Sequence, residues 1–91
     1  MIARIATFNI APPDDRSWVL ETLKSVAGVH SAYHVRDPER GSLLSISVFD
    51  DEEGIQAAVD AISARAREIG HQGPAPDDVW IYEIVWHMWN R

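Results

Sequence analysis

Apolar residues recur with a period of two along the first ten positions of the chain. Every second position from residue 2 is apolar except Arg4, and the apolar members are Ile2, Ala6, Phe8 and Ile10. A period of two is typical of a strand with one buried face, so the pattern predicts a strand over residues 2–10. The Pro12-Pro13-Asp14-Asp15 stretch that follows favours the start of a helix, because proline and acidic residues suit a first helical turn.

A helical spacing replaces the alternation over residues 14–27. Apolar residues recur three and four positions apart, Gly28 supplies a stop, and the stripe comprises Val19, Leu20, Leu23, Val26 and Ala27. Alternation returns over residues 30–36 and 42–49, on either side of the turn-rich Asp37-Pro38-Glu39-Arg40-Gly41 segment. The sequence therefore predicts a helix followed by a β-hairpin.

Four consecutive carboxylates occupy residues 50–53, directly before a second helical stripe. They could form a metal site, but acidic residues at this position also cap a helix and complement its dipole, and we favour the cap. The stripe runs to a stop at Gly70 and comprises Ile55, Ala58, Val59, Ile62, Ala66 and Ile69. Glycine and proline predict a loop over residues 71–78, and aromatic and β-branched residues predict a last strand over residues 79–89.

The predicted order of elements is β-α-β-β-α-β, which is the split βαβ or ferredoxin-like pattern. We expect an α+β fold in which a four-stranded antiparallel sheet carries two helices on one face. Ninety-one residues suit a single domain over residues 1–91. The other face of the sheet is not covered by the helices and must contact either water or a partner.

Residue types suggest which side of each strand faces the helices. In this interpretation the helix-facing residues of the last three strands are Tyr33, Val35, Leu44, Ile46, Val48, Trp80, Tyr82, Ile84, Trp86 and Met88. The opposite face is then mixed: apolar residues such as Ile5, Leu43, Phe49 and Ile81 lie among the polar Asn9, His34, Ser45, Ser47, Glu83 and His87. Such a mixture suits a ligand cavity formed where two sheets meet, and it equally suits a wet dimer interface.

Composition narrows the classes of partner. The chain has eight Lys and Arg residues against fourteen Asp and Glu residues, and its net charge of −6 disfavours nucleic acid and anionic membranes. It has no cysteine, which excludes disulfides, thiolate metal sites and a cysteine nucleophile. The N-terminal residues lack the apolar core of a secretory signal, and no segment approaches the roughly 20 apolar residues of a membrane span. We expect a cytoplasmic protein.

The four histidines are candidates for a metal site or a general base. His30 and His34 are about 13 Å apart along one strand, so they cannot share one ion. A site built from His34, Glu83 and His87 would need strands that meet only across a dimer, and we therefore expect no metal. Because histidine ionises near neutral pH, His34 or His87 could act as a base, or either could be a solvated strand residue.

Three of the four tryptophans, Trp80, Trp86 and Trp89, lie in the last twelve residues. They could form a stacking surface for an aromatic ligand. Trp80 and Trp86, however, are in phase with the residues predicted to face the helices, and we favour a core role for both. Trp89 would then lie at a dimer contact or a barrel rim. Exposed aromatic residues on a terminal strand need covering, which also favours a dimer.

Several segments resemble the dimeric α+β barrel superfamily, most like its antibiotic-biosynthesis-monooxygenase-type members. The resemblance covers almost the whole chain and is carried by the order of elements, by Val26-Ala27-Gly28-Val29-His30, and by the segments at residues 36–41 and 45–53. It implies a homodimer whose two sheets close into a barrel, with a hydrophobic pocket between the sheet and helices of each subunit. Members include cofactor-independent oxygenases of polycyclic phenols, haem-degrading enzymes and small isomerases.

The residues of the haem-degrading branch are not matched. That branch uses an Asn on its first strand, and a Trp and an iron-ligating His in its second helix. The Trp and His positions fall near Ala58 and Arg67, and Asn9 is out of step with the family Asn. The cofactor-independent oxygenases use a similar Asn and Trp pair, of which Asn9 alone could serve. The resemblance therefore implies no haem, and we expect no cofactor.

The sequence leads to two hypotheses. In the first, the chain is a homodimeric small-ligand-binding α+β barrel, and its candidate activity is cofactor-independent oxygenation of an aromatic or polyphenolic molecule. His87 and Asn9 are then the candidate catalytic residues, and the candidate ligand-binding residues are His34, Ser47, Glu83 and Phe49. In the second hypothesis, the chain is a non-catalytic interaction or ligand-sensing dimer.

Overall fold

A computed structural model describes residues 1–9, 16–71 and 75–88 of the chain. Within these residues the order of elements is β1 (Ile2–Phe8), α1 (Ser17–Leu23), β2 (Val29–Arg36), β3 (Leu43–Phe49), α2 (Glu52–Ile69) and β4 (Asp78–Glu83). The predicted βαββαβ order is therefore confirmed. The predicted end of the first strand, the proline-rich helix start and Trp89 lie outside the described residues.

The strands of the described residues form a four-stranded antiparallel sheet in the order β2-β3-β1-β4. Both helices pack against this sheet and against each other, α1 on β2 and α2 on β2 and β3. The buried core between the layers comprises Val19, Leu23, Phe49 and Ala58. This is the ferredoxin-like α+β fold expected from the sequence. Neither helix in this part of the chain is long and apolar enough to cross a membrane.

The second helix begins and ends where the sequence carries its signals. Asp51 has an extended backbone, and its carboxylate accepts a 3.1 Å hydrogen bond from the backbone N–H of Gly54. Glu52 and Glu53 lie in the first turn, where the helix dipole favours negative charge. Gly70 ends the helix in the left-handed conformation, with a φ of 70°. The cap interpretation of the acidic run is therefore confirmed.

The β2–β3 hairpin is also confirmed, and Asp37 organises its turn. The Asp37 carboxylate accepts hydrogen bonds of 2.9 and 3.2 Å from the backbone N–H groups of Glu39 and Arg40. These bonds hold the pKa of that carboxyl below its usual range. Gly41 then adopts a φ of 75°, a conformation that favours glycine. The turn brings the two strands into antiparallel pairing along their length.

The phase of β3 is the opposite of the one predicted. Its helix-facing residues are the buried set Leu43, Ser45, Ser47 and Phe49, none of them more than 8% exposed. The predicted helix-facing residues Leu44, Ile46 and Val48 alternate with that set and lie on the other face. Two of these buried residues are serines, and Phe49 packs in the core between the layers. The size of the side chains alone therefore does not predict which residues of β3 face the helices.

The predicted facing of β2 is wrong for the same reason. His34 lies opposite Ser45 and Ala32 lies opposite Ser47, so both are on the helix side of the sheet. Ala32 packs against the buried core. The residues turned away from the helices are Tyr33 and Val35.

β4 likewise turns its aromatic residues away from the helices. Trp80 pairs with Ile5 and Tyr82 with Ala3 on β1. The facing predicted for β1 is confirmed, because its helix-side residue Ala6 has no exposed surface. The strand ends at Glu83, and in the segment that follows Trp86 is 89% exposed. The core role predicted for Trp80 and Trp86 is therefore wrong.

These corrections leave an apolar surface on the side of the sheet opposite the helices, which we call the open sheet face. Its apolar and aromatic residues are Ala3, Ile5, Tyr33, Val35, Leu44, Ile46, Val48, Trp80 and Tyr82, and the polar Thr7, Ser31 and Asp78 lie on the same side. Tyr33, Trp80 and Tyr82 are each about half exposed. The face is thus more apolar than the mixed surface predicted from the sequence.

Candidate functional site

A cavity of about 290 Å³ lies between the sheet and the two helices, and we call it the helix-side cavity. Residues of β1, β2 and β3 line it from the sheet, residues of α1 and α2 line it from above, and His71 and Pro76 close one side. Its volume is close to the lower end of the range typical of small-molecule sites. The cavity lies where the family resemblance implies a pocket.

Three polar side chains line the cavity from neighbouring strands. His34 of β2 and Ser45 of β3 lie opposite each other in the register. Arg4 of β1 lies opposite Ser47, two positions along β3 from Ser45. All of these residues share the helix side of the sheet, because residues opposite each other in an antiparallel pair project to the same face. The register therefore assembles a polar floor from residues far apart in the sequence.

The start of α1 adds a second guanidinium and an indole. The Cζ of Arg16 lies 4.7 Å from the centre of the Phe8 ring, within the range of a cation–π interaction. Trp18 lies beside His71, with ring centres 5.0 Å apart and ring planes inclined by 57°. Much of the remaining lining is aliphatic and includes Val19, Leu43, Val59, Ile62 and Ala66. Apolar walls with a few polar groups are typical of a site for an organic ligand.

The cavity has a cationic character. None of the described residues that line it is acidic, whereas two are arginines. Burial lowers the pKa of the Arg4 guanidinium, but arginine stays charged near neutral pH. Burial, and in second place the charge of Arg16, lowers the pKa of His34, so its imidazole is neutral at pH 7. A neutral imidazole can accept a proton from an acidic group of a ligand.

Nε1 of Trp18 and Nε2 of His34 are buried at the cavity without a hydrogen-bond partner among the described residues. The indole N–H can only donate, whereas the imidazole nitrogen donates or accepts according to its tautomer. Because a buried polar atom without a partner destabilises the fold, both atoms favour a ligand that offers hydrogen-bonding groups here.

The structure does not bring the predicted site residues together. His34 lines the helix-side cavity. Ser47 is buried on the same side of the sheet, opposite Arg4, and Phe49 belongs to the core between the layers. Glu83 pairs with Ile2 at the far end of β4 and borders a surface depression beside the acidic start of α2.

Asn9 and His87 also lie apart from the cavity. The backbone N–H of Asn9 donates a 2.7 Å hydrogen bond to the Asp77 carboxylate, and His87 is exposed beyond the end of β4. The predicted facing away from the helices is wrong for His34, Ser47, Phe49 and Glu83, because all four follow the helix-side phase of their strands. The catalytic and ligand-binding roles of the predicted residues stay predictions.

Arg4, Arg16 and Trp18 line the cavity but are not among the site residues predicted from the sequence. A signal existed for Arg4, which is the one charged residue among the helix-side positions of β1. A charge at a buried position indicates a partner or a function. Arg16 and Trp18 carried no comparable signal, because the helical stripe was defined from its aliphatic members.

The described residues offer no group of three or more His, Asp or Glu side chains that could hold a metal ion. His30 instead pairs with the Asp50 carboxylate at the surface. The side chains that line the cavity can form hydrogen bonds, pair with charges and transfer protons.

No family model matches the chain, and no curated protein matches it. Solved structures do match. A candidate antibiotic biosynthesis monooxygenase from Chloroflexus aurantiacus J-10-fl is 18% identical, with a TM-score of 0.67, over 96% of this chain and 95% of that one. A monooxygenase from Streptomyces coelicolor, solved with nanaomycin D, is 15% identical, with a TM-score of 0.67, over 99% and 92%. A protein of unknown function from Nitrosomonas europaea is 13% identical, with a TM-score of 0.71, over 99% and 94%.

At these identities the likeness shows the fold. The chain has the fold of antibiotic-biosynthesis-monooxygenase-like proteins, and the resemblance drawn from the sequence is confirmed at that level.

Proposed function

We propose that this chain is a homodimeric α+β barrel protein that binds a small, largely apolar or aromatic molecule in the helix-side cavity. The observation that carries the proposal is the cavity itself, in which aliphatic and aromatic walls surround a few polar side chains. Apolar walls favour the body of an organic ligand, and the polar groups fix its orientation. The candidate activity is cofactor-independent oxygenation of an aromatic molecule.

His34 supplies a chemical basis for that activity. Its neutral imidazole is suited to accept the proton of a phenol through Nε2, which is the nitrogen buried at the cavity. The phenolate that forms is a better electron donor than the phenol. Its reaction with O2 at a ring C–H position, together with the proton held by His34, gives a quinone and one molecule of water, so atoms and electrons balance with O2 as the only co-reactant. A solved protein of the same fold is a monooxygenase, which supports this class of reaction.

A second candidate function is a non-catalytic ligand-sensing dimer. It is favoured by one observation, namely that Asn9 and His87, the residues predicted to be catalytic, lie outside the cavity. A ligand bound without them would still change the stability of the protein. The two candidates differ in whether the bound ligand is consumed together with O2.

The open sheet face supports the homodimer. Contiguous apolar surface on a soluble protein indicates a contact site, and here it includes the half-exposed rings of Tyr33, Trp80 and Tyr82. A second copy that packs its own open sheet face against this one would cover both surfaces at once. Two sheets in face-to-face contact form the barrel that the fold resemblance implies.

Blocking the cavity tests ligand binding. Ala66 lines the cavity, whereas Ala64 is exposed on the same helix, so Ala66→Phe and Ala64→Phe add equal bulk at different places. We expect a polyphenol or quinol that binds to stabilise wild type and Ala64→Phe by about 2.7 kcal/mol at 100 times its Kd. Thermal denaturation measures this response. Ala66→Phe should lose it while its circular dichroism spectrum remains that of a folded protein.

Oxygen uptake with the same ligand separates the two candidate functions. An oxygenase should consume O2, and His34→Gln should lower the rate by about 100-fold or more while the ligand still binds. Binding without O2 uptake would favour the ligand-sensing dimer. Failure of every member of a polyphenol and quinol panel to stabilise the wild-type protein would contradict both candidates.

A further inference from the structure

Arg4 carries a charge at a position that the fold encloses. Its strand, β1, is paired with β3 on one side and β4 on the other, and its side chain lies on the helix side of the sheet. The side chain is partly buried and makes no hydrogen bond or ion pair with any described residue. Buried charges in proteins are usually paired, because burial removes their hydration. The cavity that Arg4 lines is where a compensating group can enter.

Polar nitrogen atoms from three elements meet at this cavity. Arg4 comes from β1, Nε1 of Trp18 from α1 and Nε2 of His34 from β2, and both of these nitrogens are buried without a described partner. None of the described lining residues is acidic. A ligand group that is negatively charged and accepts several hydrogen bonds would satisfy this set, whereas a neutral group would leave the charge of Arg4 uncompensated.

The local charge is opposite to that of the whole chain. A net charge of −6 attracts cations at long range, so a cationic cavity in this protein indicates recognition of an anion by direct contact. Phe8, Leu43 and Ile62 line the same cavity and offer no polar groups. The remainder of the ligand must therefore be apolar, which disfavours inorganic phosphate and nucleotides.

We infer that the cavity binds an organic anion, with an aromatic or aliphatic body and one acidic group held by the guanidinium of Arg4. This inference rests on the proposed function and specifies the charge of its ligand. A carboxylate and a phenolate present the same chemistry to the guanidinium. Two pairs of probes distinguish them.

The first pair is 2-naphthoate and 2-naphthamide, which share one bicyclic body and differ in charge. Isothermal titration calorimetry at about pH 8 should show at least about tenfold tighter binding of the naphthoate, because charge-assisted hydrogen bonds exceed neutral ones by that much. The second pair, 4-nitrophenolate and 4-nitroanisole, asks the same question of a phenolate. A preference in one pair alone identifies the acidic group that the site takes.

Variants assign the preference to Arg4. Arg67 lies exposed in the last turn of α2 and does not line the cavity, so Arg4→Met and Arg67→Met remove the same charge from different places. Arg4→Met should weaken naphthoate binding by about 10- to 100-fold and leave naphthamide binding within about twofold. Arg67→Met should change neither. Arg4→Lys retains the charge and should retain part of the preference.

The outcomes separate this inference from the function on which it rests. Equal affinity for both members of each pair, with all binding lost in Ala66→Phe, would overturn the inference and leave the proposed ligand site standing. An equal loss of preference in Arg4→Met and Arg67→Met would also overturn it, because the effect would then be long-range. If no probe binds and no member of the polyphenol panel stabilises the protein, both proposals fail. The comparison of probes on the wild-type protein holds whether or not Arg4→Met folds.

Discussion

His34 shows how position in the sheet sets the chemical state of a side chain. On the open sheet face a histidine would meet water, but the register places it under the helices, beside Ser45 and among the cationic Arg4 and Arg16. Protonation there would add a third positive charge to a partly buried site. The lowered pKa of His34 follows from that burial and from the charge of Arg16.

We expect His34 to make the folded state less stable as the pH falls. Because its pKa in the folded state lies below the unfolded value of about 6.5, the unfolded chain takes up the proton first. Stability is full above about pH 7, declines as the pH falls through the unfolded pKa, and stops declining below the folded one. Urea denaturation at about pH 7.5 and 5.5 measures this change. The same loss in His34→Gln as in wild type would show that other groups cause it.

The chemistry of single residues was only partly predictable from the sequence. His34 stood out by residue type, and Arg4 stood out as the charged member of an apolar alternation. Their meeting with Trp18 could not be predicted, because it depends on where α1 crosses the sheet. Asn9 and His87 were grouped with His34 by strand phase alone, and the ends of β1 and β4 place them elsewhere.

At the scale of elements, the residues that cap helices and form turns predicted the structure more reliably than the patterns that assign the two faces of a strand. The cap at Asp51, the stop at Gly70 and the turn at Asp37 each follow from local hydrogen bonding, and each was predictable. Which face of β3 packs under the helices is harder to predict, because both faces of the strand carry apolar residues. The serines at its centre are buried because the helices lie over that face, and a count of aliphatic residues cannot detect which face the helices cover.

Removal of the α2 cap should weaken the whole fold. Asp51→Ala leaves the backbone N–H of Gly54 without its side-chain acceptor, and we expect a loss of about 1 kcal/mol in the free energy of unfolding. Asp51→Asn retains an oxygen that can accept the same bond and should lose less. Urea denaturation of the three proteins gives the comparison. An Asn variant as unstable as the Ala variant would indicate that charge near the helix dipole, rather than the hydrogen bond, carries the effect.

At the scale of the whole molecule, the two faces of the sheet have different characters. The helix side is covered over β2 and β3 and contains a cavity with cationic side chains, whereas the open sheet face is largely apolar and is uncovered within the described chain. The acidic surface keeps separate molecules apart in general, so association requires a specific apolar contact. The open sheet face is the surface that meets this requirement.

A charge placed on the open sheet face should dissociate the proposed dimer. Tyr82 lies on that face, whereas Ile81 lies on the helix side of the same strand, and the two are 53% and 56% exposed. We expect Tyr82→Lys to be a monomer at micromolar concentration by light scattering, because an unpaired buried ammonium is strongly unfavourable. Ile81→Lys should remain a dimer. A wild-type protein that is already monomeric would contradict the dimer, as would equal effects of the two substitutions.

The placement of the tryptophans allows fluorescence to report on ligand entry and on subunit contact. Trp18 borders the helix-side cavity, Trp80 lies on the open sheet face, and Trp86 projects from the segment after β4. Indole emission responds to local polarity and to nearby absorbing groups. A coloured ligand would therefore quench Trp18, while a second subunit would shift the emission of Trp80 to shorter wavelength. The chain thus carries an intrinsic fluorescent reporter at the helix-side cavity and another on the open sheet face.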